Sequence, residues 1–408
     1  MKNRSAIAIT IAAVASACAS GTGSVPQPHL TPVNKVQTAS PSEVGMDLRL
    51  GMILDSIMKV GLAEHAAPGA TLAVGRFGRL VHLKAYGRLD TAASSAAVDV
   101  NTMYDMASLT KVVATTTAAM MLEEQGLLDL DRTVASYLPG FNAPDKATIT
   151  MRMVVEHRGG MEAFAALFKT FKGRDQYLEQ INSRPLKFVP NTQMVYSDWD
   201  MILTGLVIEK LTGMTLDRFV AEKIFQPLGM MRTMFTPDAS LKPNIAPTEV
   251  VAERGGLVWG SVHDENANAI GGVAGHAGLF STAPDAAVFV QMLLNGGEYN
   301  GVRLLKPETV ARWTSVQRRG SSRALGWDTP SNQSSAGHYF SPRSFGHTGF
   351  TGTSIWADPT RELFVVLLTN RVNPTRNTTR VFRLRRDIAD AVQKSIVDAP
   401  LIDWESRK

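Results

Sequence analysis

Apolar residues recur at Leu50, Ile53, Leu54, Ile57 and Met58, the three-to-four spacing that lines one face of a helix, and predict a helix over residues 47–64. The period then changes. Past Pro68-Gly69, an apolar and β-branched run over 70–74, a Gly-Arg-Phe-Gly-Arg turn at 75–79 and a second run over 80–85 predict a β-hairpin. Near the other end, two further β-rich runs, 353–357 and 363–369, flank Asp358-Pro359-Thr360-Arg361 and precede a helical stretch over about 378–397. The sequence between reads mostly as helix. Val112, Val113, Thr116 and Met120 keep helical spacing between Ser108 and Glu124, an apolar helix covers 201–211, and Ser281 or Thr282 with Pro284 and Asp285 caps another that ends at Leu294. Together these predict an α/β fold of the α+β type. An antiparallel sheet flanked by helices is formed from N- and C-terminal segments, a mostly helical lobe over about 110–330 is inserted, and a crevice lies between.

With 408 residues, 44% hydrophobic and 19% charged, the chain can bury a large core. Its first residues follow another pattern. Lys2 and Arg4, an apolar stretch over 6–14 and small residues before Cys18 have the layout of a secretory signal too short to span a membrane, so 1–18 predicts export to the periplasm or cell envelope. Cys18 is the only cysteine, which excludes an intrachain disulfide. Its place after Ala15-Ser16-Ala17 is similar to a bacterial lipoprotein acceptor and offers membrane attachment, while the same three residues also form an ordinary cleavage site. Residues 19–44, rich in Gly, Ser, Thr and Pro, read as a tether, leaving 45–398 as the folded domain. Loss of Lys2 and Arg4 takes the formal net charge from +5 to +3, too mild a balance to indicate nucleic acid as a partner. Arg380, Arg383, Arg385 and Arg386 predict a solvated helix face, with attraction to an anionic envelope surface as the alternative. No phosphate loop, His-Glu-x-x-His or Cys-x-x-Cys occurs, so the sequence supports no nucleotide cofactor and no metal.

Three short motifs change the picture by their order: Ser108-Leu109-Thr110-Lys111, Tyr196-Ser197-Asp198 and His347-Thr348-Gly349. Residues three apart share a helix face, so Lys111 can take the proton of Ser108 if burial and neighbouring cations keep the amine partly neutral. Ser108 sits in the first turn of its helix. There its own N–H is free of the helix and the positive end of the macrodipole suits a developing oxyanion. A second copy, Ser56-Ile57-Met58-Lys59, lies inside the packing helix rather than at its start and reads as structural.

The order and separation of the motifs resemble those of the serine β-lactamase and penicillin-binding-protein superfamily, in its class C β-lactamase-like branch, which also holds D,D-carboxypeptidases, D-aminopeptidases and family VIII esterases. Pro68-Gly69-Ala70, Phe225-Gln226-Pro227-Leu228-Gly229-Met230 and Gly278-Leu279-Phe280-Ser281-Thr282 add to the resemblance, which spans about 45–395. It implies a β-lactamase/transpeptidase-like fold and an acyl-enzyme at Ser108. Tyr196 would relay the proton to the leaving group and activate the deacylating water. Asp198 stands where the family more often has Asn; it can accept but not donate and would stabilise a charged Lys111, helix capping being the alternative. His347 stands where many β-lactamases have Lys, as a cation half-charged near pH of about 6.5 for a substrate carboxylate. Thr348 would donate to a carboxylate or carbonyl, Gly349 would let substrate backbone lie close, and the N–H of Phe350 would match the second oxyanion donor. His157 is expected to be structural. His263 and His276 match no metal spacing, and the glycines between 271 and 278 would let a loop pack beneath the site. The expected activity is D,D-carboxypeptidase-like or esterase, on a small-molecule or peptidoglycan-derived substrate. A class C-like β-lactamase and a non-catalytic penicillin-binding sensor module are the alternatives.

Overall fold

The computed structural model describes residues 36–331 and 334–404, so the expected signal, Cys18 and most of the expected tether lie outside the described residues. The helix predicted over 47–64 is α1, Leu50–Ala63, with Leu50, Leu54 and Met58 buried. The hairpin follows as β1 (Gly69–Arg76) and β2 (Arg79–Gly87), with a bulge between Val74 and Gly75. From the far end come β3 (Phe345–Thr348), β4 (Ser354–Asp358) and β5 (Leu363–Thr369). They complete an antiparallel sheet in the order β3-β4-β5-β1-β2, with Ala70 opposite Thr369 and Arg76 opposite Leu363. Residues 36–44, within the expected tether, already pack on this sheet: Val36 is buried, the Leu80 N–H donates to Gln37 O at 2.7 Å and the Ala39 N–H to Leu80 O at 3.0 Å.

The period of two divides each central strand between two cores. Ala70, Leu72 and Val74 of β1 and Leu363, Val365 and Leu367 of β5 pack with α1 and with Leu384, Ile388 and Val392 of the last helix, Val381–Lys394. Ala73, Phe364, Val366 and Leu368 face the other way, toward the helix Ala283–Leu294 and the inserted lobe. Truncating one such buried leucine to alanine costs about 2–5 kcal/mol.

Between β2 and β3 the regular elements are mostly helices, including α2 (Thr117–Glu124), α3 (Asp198–Thr212) and α4 (Ala283–Leu294), the last capped by Thr282 as expected; the C-terminal helix is α5. The lobe also holds a small sheet in which Leu279–Ser281 lies between Tyr104–Asp105 and Met234–Phe235, strands too short to show a period in sequence. Among the described residues no helix is long and apolar enough to cross a membrane.

Two local expectations are corrected. The run from Ser108 to Glu124 is not one α-helix: a 3-10 turn, Ala107–Leu109, leads into a π-helical stretch, Lys111–Thr116, before α2. The β-branched Val112, Val113, Thr115, Thr116 and Thr117 crowd a regular α-turn, and Thr117 Oγ1 donates back to Val112 O at 2.9 Å. Arg380, just before α5, and Arg383 on it are exposed but Arg385 is buried beside Leu384, so the basic segment is not one solvated face.

Candidate active site

Ser108 is half-buried on a turn whose neighbours are buried. The turn is held under strain. Ala107 has φ +45, a left-handed conformation costing an alanine about 1 kcal/mol or more. Asp105 and two threonines fix it: Asp105 Oδ1 accepts from the Ala107 N–H at 2.8 Å and Oδ2 from the His263 N–H at 2.6 Å, while Thr351 Oγ1 donates to Asp105 O at 2.7 Å and Thr353 Oγ1 to Met106 O at 3.0 Å. Gly349 lies against the same backbone, and a Cβ there would collide with the Met106 carbonyl and the Thr353 hydroxyl. Gly349 therefore seats the nucleophile's turn on the strand end, rather than only leaving room for substrate.

Lys111 is fully buried, and its ammonium donates to Ser108 Oγ at 3.0 Å, to His276 O at 3.0 Å and to Asp198, whose Oδ1 is 2.7 Å away. All three N–H donors are in use. Burial alone would push the amine down, but Asp198 and the nearby Tyr196 phenol outweigh it and hold Lys111 above its ordinary value. The condition for a partly neutral lysine is not met, because its close neighbours are an acid and a phenol. Asp198 is the first residue of α3 after the N-cap Ser197, and its carboxylate turns to Lys111 instead of capping.

The Tyr196 hydroxyl is buried and has no hydrogen-bond partner among the described residues. Four groups surround the ring. Lys111 Nζ is 4.9 Å and the Arg323 guanidinium carbon 5.0 Å from its centroid, and the rings of His157 and His347 lie at 4.7 and 5.7 Å.

The cationic role expected of His347 is corrected. Only 3% exposed, the imidazole is held well below its ordinary value by burial and then by the Arg323 and Lys111 cations. Its Nδ1 lies 2.8 Å from Thr348 O; a carbonyl only accepts, so Nδ1 carries the proton and the buried, unpartnered Nε2 presents a lone pair. A lone pair repels a carboxylate. The cation on this wall is Arg323, its side chain 14% exposed, with Nε and Nη1 making no hydrogen bond and Nε in a loose ion pair with Asp328 Oδ1 at 3.7 Å. Nothing in the sequence around Arg323 marked it, since it lies in an irregular stretch without period.

Thr348 is half-buried at the end of β3, and Phe350 is half-exposed in the β3–β4 turn beneath the Arg371 guanidinium, 4.5 Å from the ring centroid. His157 has Nδ1 3.1 Å from the buried Asp200 Oδ2 and 3.3 Å from the Ser197 N–H, so it buttresses the Tyr196 segment. His263 pairs with Glu249 at 2.9 Å and His276 with Asp264 at 2.9 Å. The glycine loop does pack close, a Cβ on Gly275 colliding with Met201 O of α3. Ligand atoms of Asp198, Asp264 and His276 lie within 4.8 Å of one another, a grouping that could hold a metal ion, but the Lys111 ammonium already bonds Asp198 and a divalent ion would compete with it.

Comparison with known proteins shows the family. The family described as Beta-lactamase matches residues 54–390, and the chain belongs to it as an enzyme of that serine hydrolase family. A protein of Escherichia coli (strain K12) named "Putative D-alanyl-D-alanine carboxypeptidase" is 36% identical over 342 residues, covering 74% of this chain and 78% of that one. Among solved structures, a class C beta-lactamase superposes with a TM-score of 0.71 at 17% identity, covering 87% of this chain and 98% of that one. A family VIII carboxylesterase superposes with a TM-score of 0.66 at 19% identity, covering 86% and 99%. These two likenesses are of fold.

Proposed function

We propose that the protein is a D,D-carboxypeptidase-like hydrolase of the cell envelope that forms an acyl-enzyme at Ser108. The observation that carries the reading is the contact of Ser108 Oγ with a buried ammonium that Asp198 and Tyr196 flank. Ser108 Oγ attacks the carbonyl carbon while the N–H groups of Ser108 and Phe350 receive the charge on its oxygen. Tyr196 and Lys111 act as one relay. Since every Lys111 donor already has an acceptor, the serine proton is assigned to the Tyr196 oxygen, which in the same movement gives its own hydroxyl proton to the leaving group; in the second half water attacks the acyl carbon, its proton passes to the Tyr196 oxygen, and the proton Tyr196 held returns to Ser108 Oγ as the ester bond breaks. The Arg323 edge that makes no hydrogen bond is assigned to the substrate carboxylate, and Thr348 to a second hydrogen bond with it. The carboxypeptidase name of the E. coli relative and the signal-like sequence pattern over 1–18 support the substrate class and the envelope.

Ester hydrolysis is the second reading, favoured by the neutral, lone-pair-presenting His347, which asks nothing anionic of a substrate. A β-lactamase needs the same nucleophile and donors and differs in deacylation. Mass spectrometry after incubation with a fluorescent penicillin, alongside release from a D-alanyl dipeptide and a nitrophenyl ester, tests all three. Label on Ser108 with dipeptide turnover is the expected result; ester turnover alone would overturn the substrate class, and absence of label on Ser108 the acyl-enzyme.

A further inference from the structure

Arg385 stands apart from the other arginines of α5. It is 4% exposed, and its Nη2 donates to Gly349 O at 2.8 Å and to Thr353 O at 2.7 Å, while Nε has no partner. Among the described residues no carboxylate lies within ion-pair distance of it. Burial, and then the neighbouring Arg371, push the guanidinium down to about 9. Holding a cation out of water without a counterion is unfavourable.

The turn it touches does not need that cation to close. The Gly349 N–H donates to Thr353 O at 2.7 Å and the Gly352 N–H to Gly349 O at 3.1 Å, so both carbonyls already have a backbone donor. A purely structural contact would be met as well by an apolar side chain of the same length.

The Gly349 carbonyl and the Phe350 N–H belong to one planar trans amide and point in opposite directions. With α5 on the carbonyl side, the N–H is directed away from Arg385. Charge placed on an amide oxygen draws electron density through the unit and makes its N–H a stronger donor. We infer that Arg385 is a positioning residue that strengthens Phe350 N–H as an oxyanion donor, acting from behind through the Gly349–Phe350 amide. The inference rests on the acyl-enzyme reading at Ser108. As the serine Oγ–C bond forms, the carbonyl π pair moves onto oxygen, and the negative charge meets a donor that α5 has already polarised. Arg371 Nε, donating to Phe350 O at 2.7 Å, fixes the next amide of the same turn.

The test compares Arg385→Met and Arg385→Lys with the parent protein on a nitrophenyl ester and its thionoester, whose sulfur draws little on an oxyanion donor. For Arg385→Met, kcat on the ester should fall about tenfold to a hundredfold with KM within about twofold, and the ester-to-thionoester rate ratio should fall with it. The thermal midpoint should hold or rise because an uncompensated buried charge is gone. Arg385→Lys should restore part of the ratio. Equal loss on both substrates, or an unchanged ester rate, would overturn the inference. If the Met variant fails to fold, Arg385→Gln, which keeps a hydrogen bond without charge, carries the same comparison. Labelling of the parent at Ser108 is read first, so failure of the acyl-enzyme reading is seen separately from failure of the Arg385 assignment.

Discussion

Ser56-x-x-Lys59 and Ser108-x-x-Lys111 have the same spacing and opposite surroundings. Ser56 and Lys59 lie exposed on α1, where each can be solvated independently; Lys111 is fully buried, with every donor spent on Ser108, His276 or Asp198. The strained turn before Ser108 has no counterpart before Ser56, which sits in mid-helix. What separates the motif proposed as catalytic from its copy is the removal of water from the lysine and the supply of a specific acid to hold its charge.

The comparison breaks most sharply if the nucleophile is exchanged. Ser108→Ala should cut turnover by about four to six orders of magnitude and abolish covalent labelling, measured by mass spectrometry of the intact protein. Label persisting on that variant would give the role to another serine. Next in size, Lys111→Ala and Tyr196→Phe should each lower kcat by about two to four orders of magnitude, and the double variant little further, because two groups of one relay are not additive. Losses that multiply would separate the two residues.

Arg323→Gln should raise KM for a carboxylate-bearing dipeptide about ten- to a hundredfold and leave a neutral ester nearly unchanged. With His347 neutral in the fold, the parent's dipeptide-to-ester KM ratio should stay flat between pH of about 5.5 and 7.5, and a ratio rising through that range would return the carboxylate to His347. The sign for stability is the reverse of a salt-bridged histidine. The unfolded chain protonates His347 as pH falls through about 6.5 while the folded chain does not, so this residue removes up to about 1.4 kcal/mol per pH unit below that point. His347→Gln should take that share out of the acid denaturation profile.

Asp198→Asn sharpens the account of the buried charge. Without the carboxylate, burial dominates and the Lys111 value drops, so the alkaline limb of the rate profile should move to lower pH; an unmoved limb would mean Asp198 does not set it. The smallest effect belongs to the first copy of the motif: Ser56→Ala and Lys59→Ala should each change stability by less than about 0.5 kcal/mol and activity not at all.

Sheet, hairpin and α5 were legible because alternating residues such as Leu363 to Leu368 feed two cores and Leu384, Ile388 and Val392 keep a helical stripe. The trio Ser108, Lys111 and Tyr196 was legible by order, and the structure brings the three together. The charge states were harder. A histidine in a motif looks titratable until its burial is known, as at His347, and Arg385 follows Leu384 on a helix whose exposed arginines conceal it. Arg323 and the Asp105 carboxylate act through contacts across more than a hundred residues, which no local pattern encodes.

The dependence of the Ser108 turn on Thr351 and Thr353 also sets when in the life of the chain activity can appear. A ribosome delivers the serine long before those residues, and β1 can find its partner β5 only after residue 363 has emerged. Chemistry is therefore the last property the molecule acquires. A chain carried across a membrane unfolded would travel with an inert serine and become reactive only where its C-terminal helix docks.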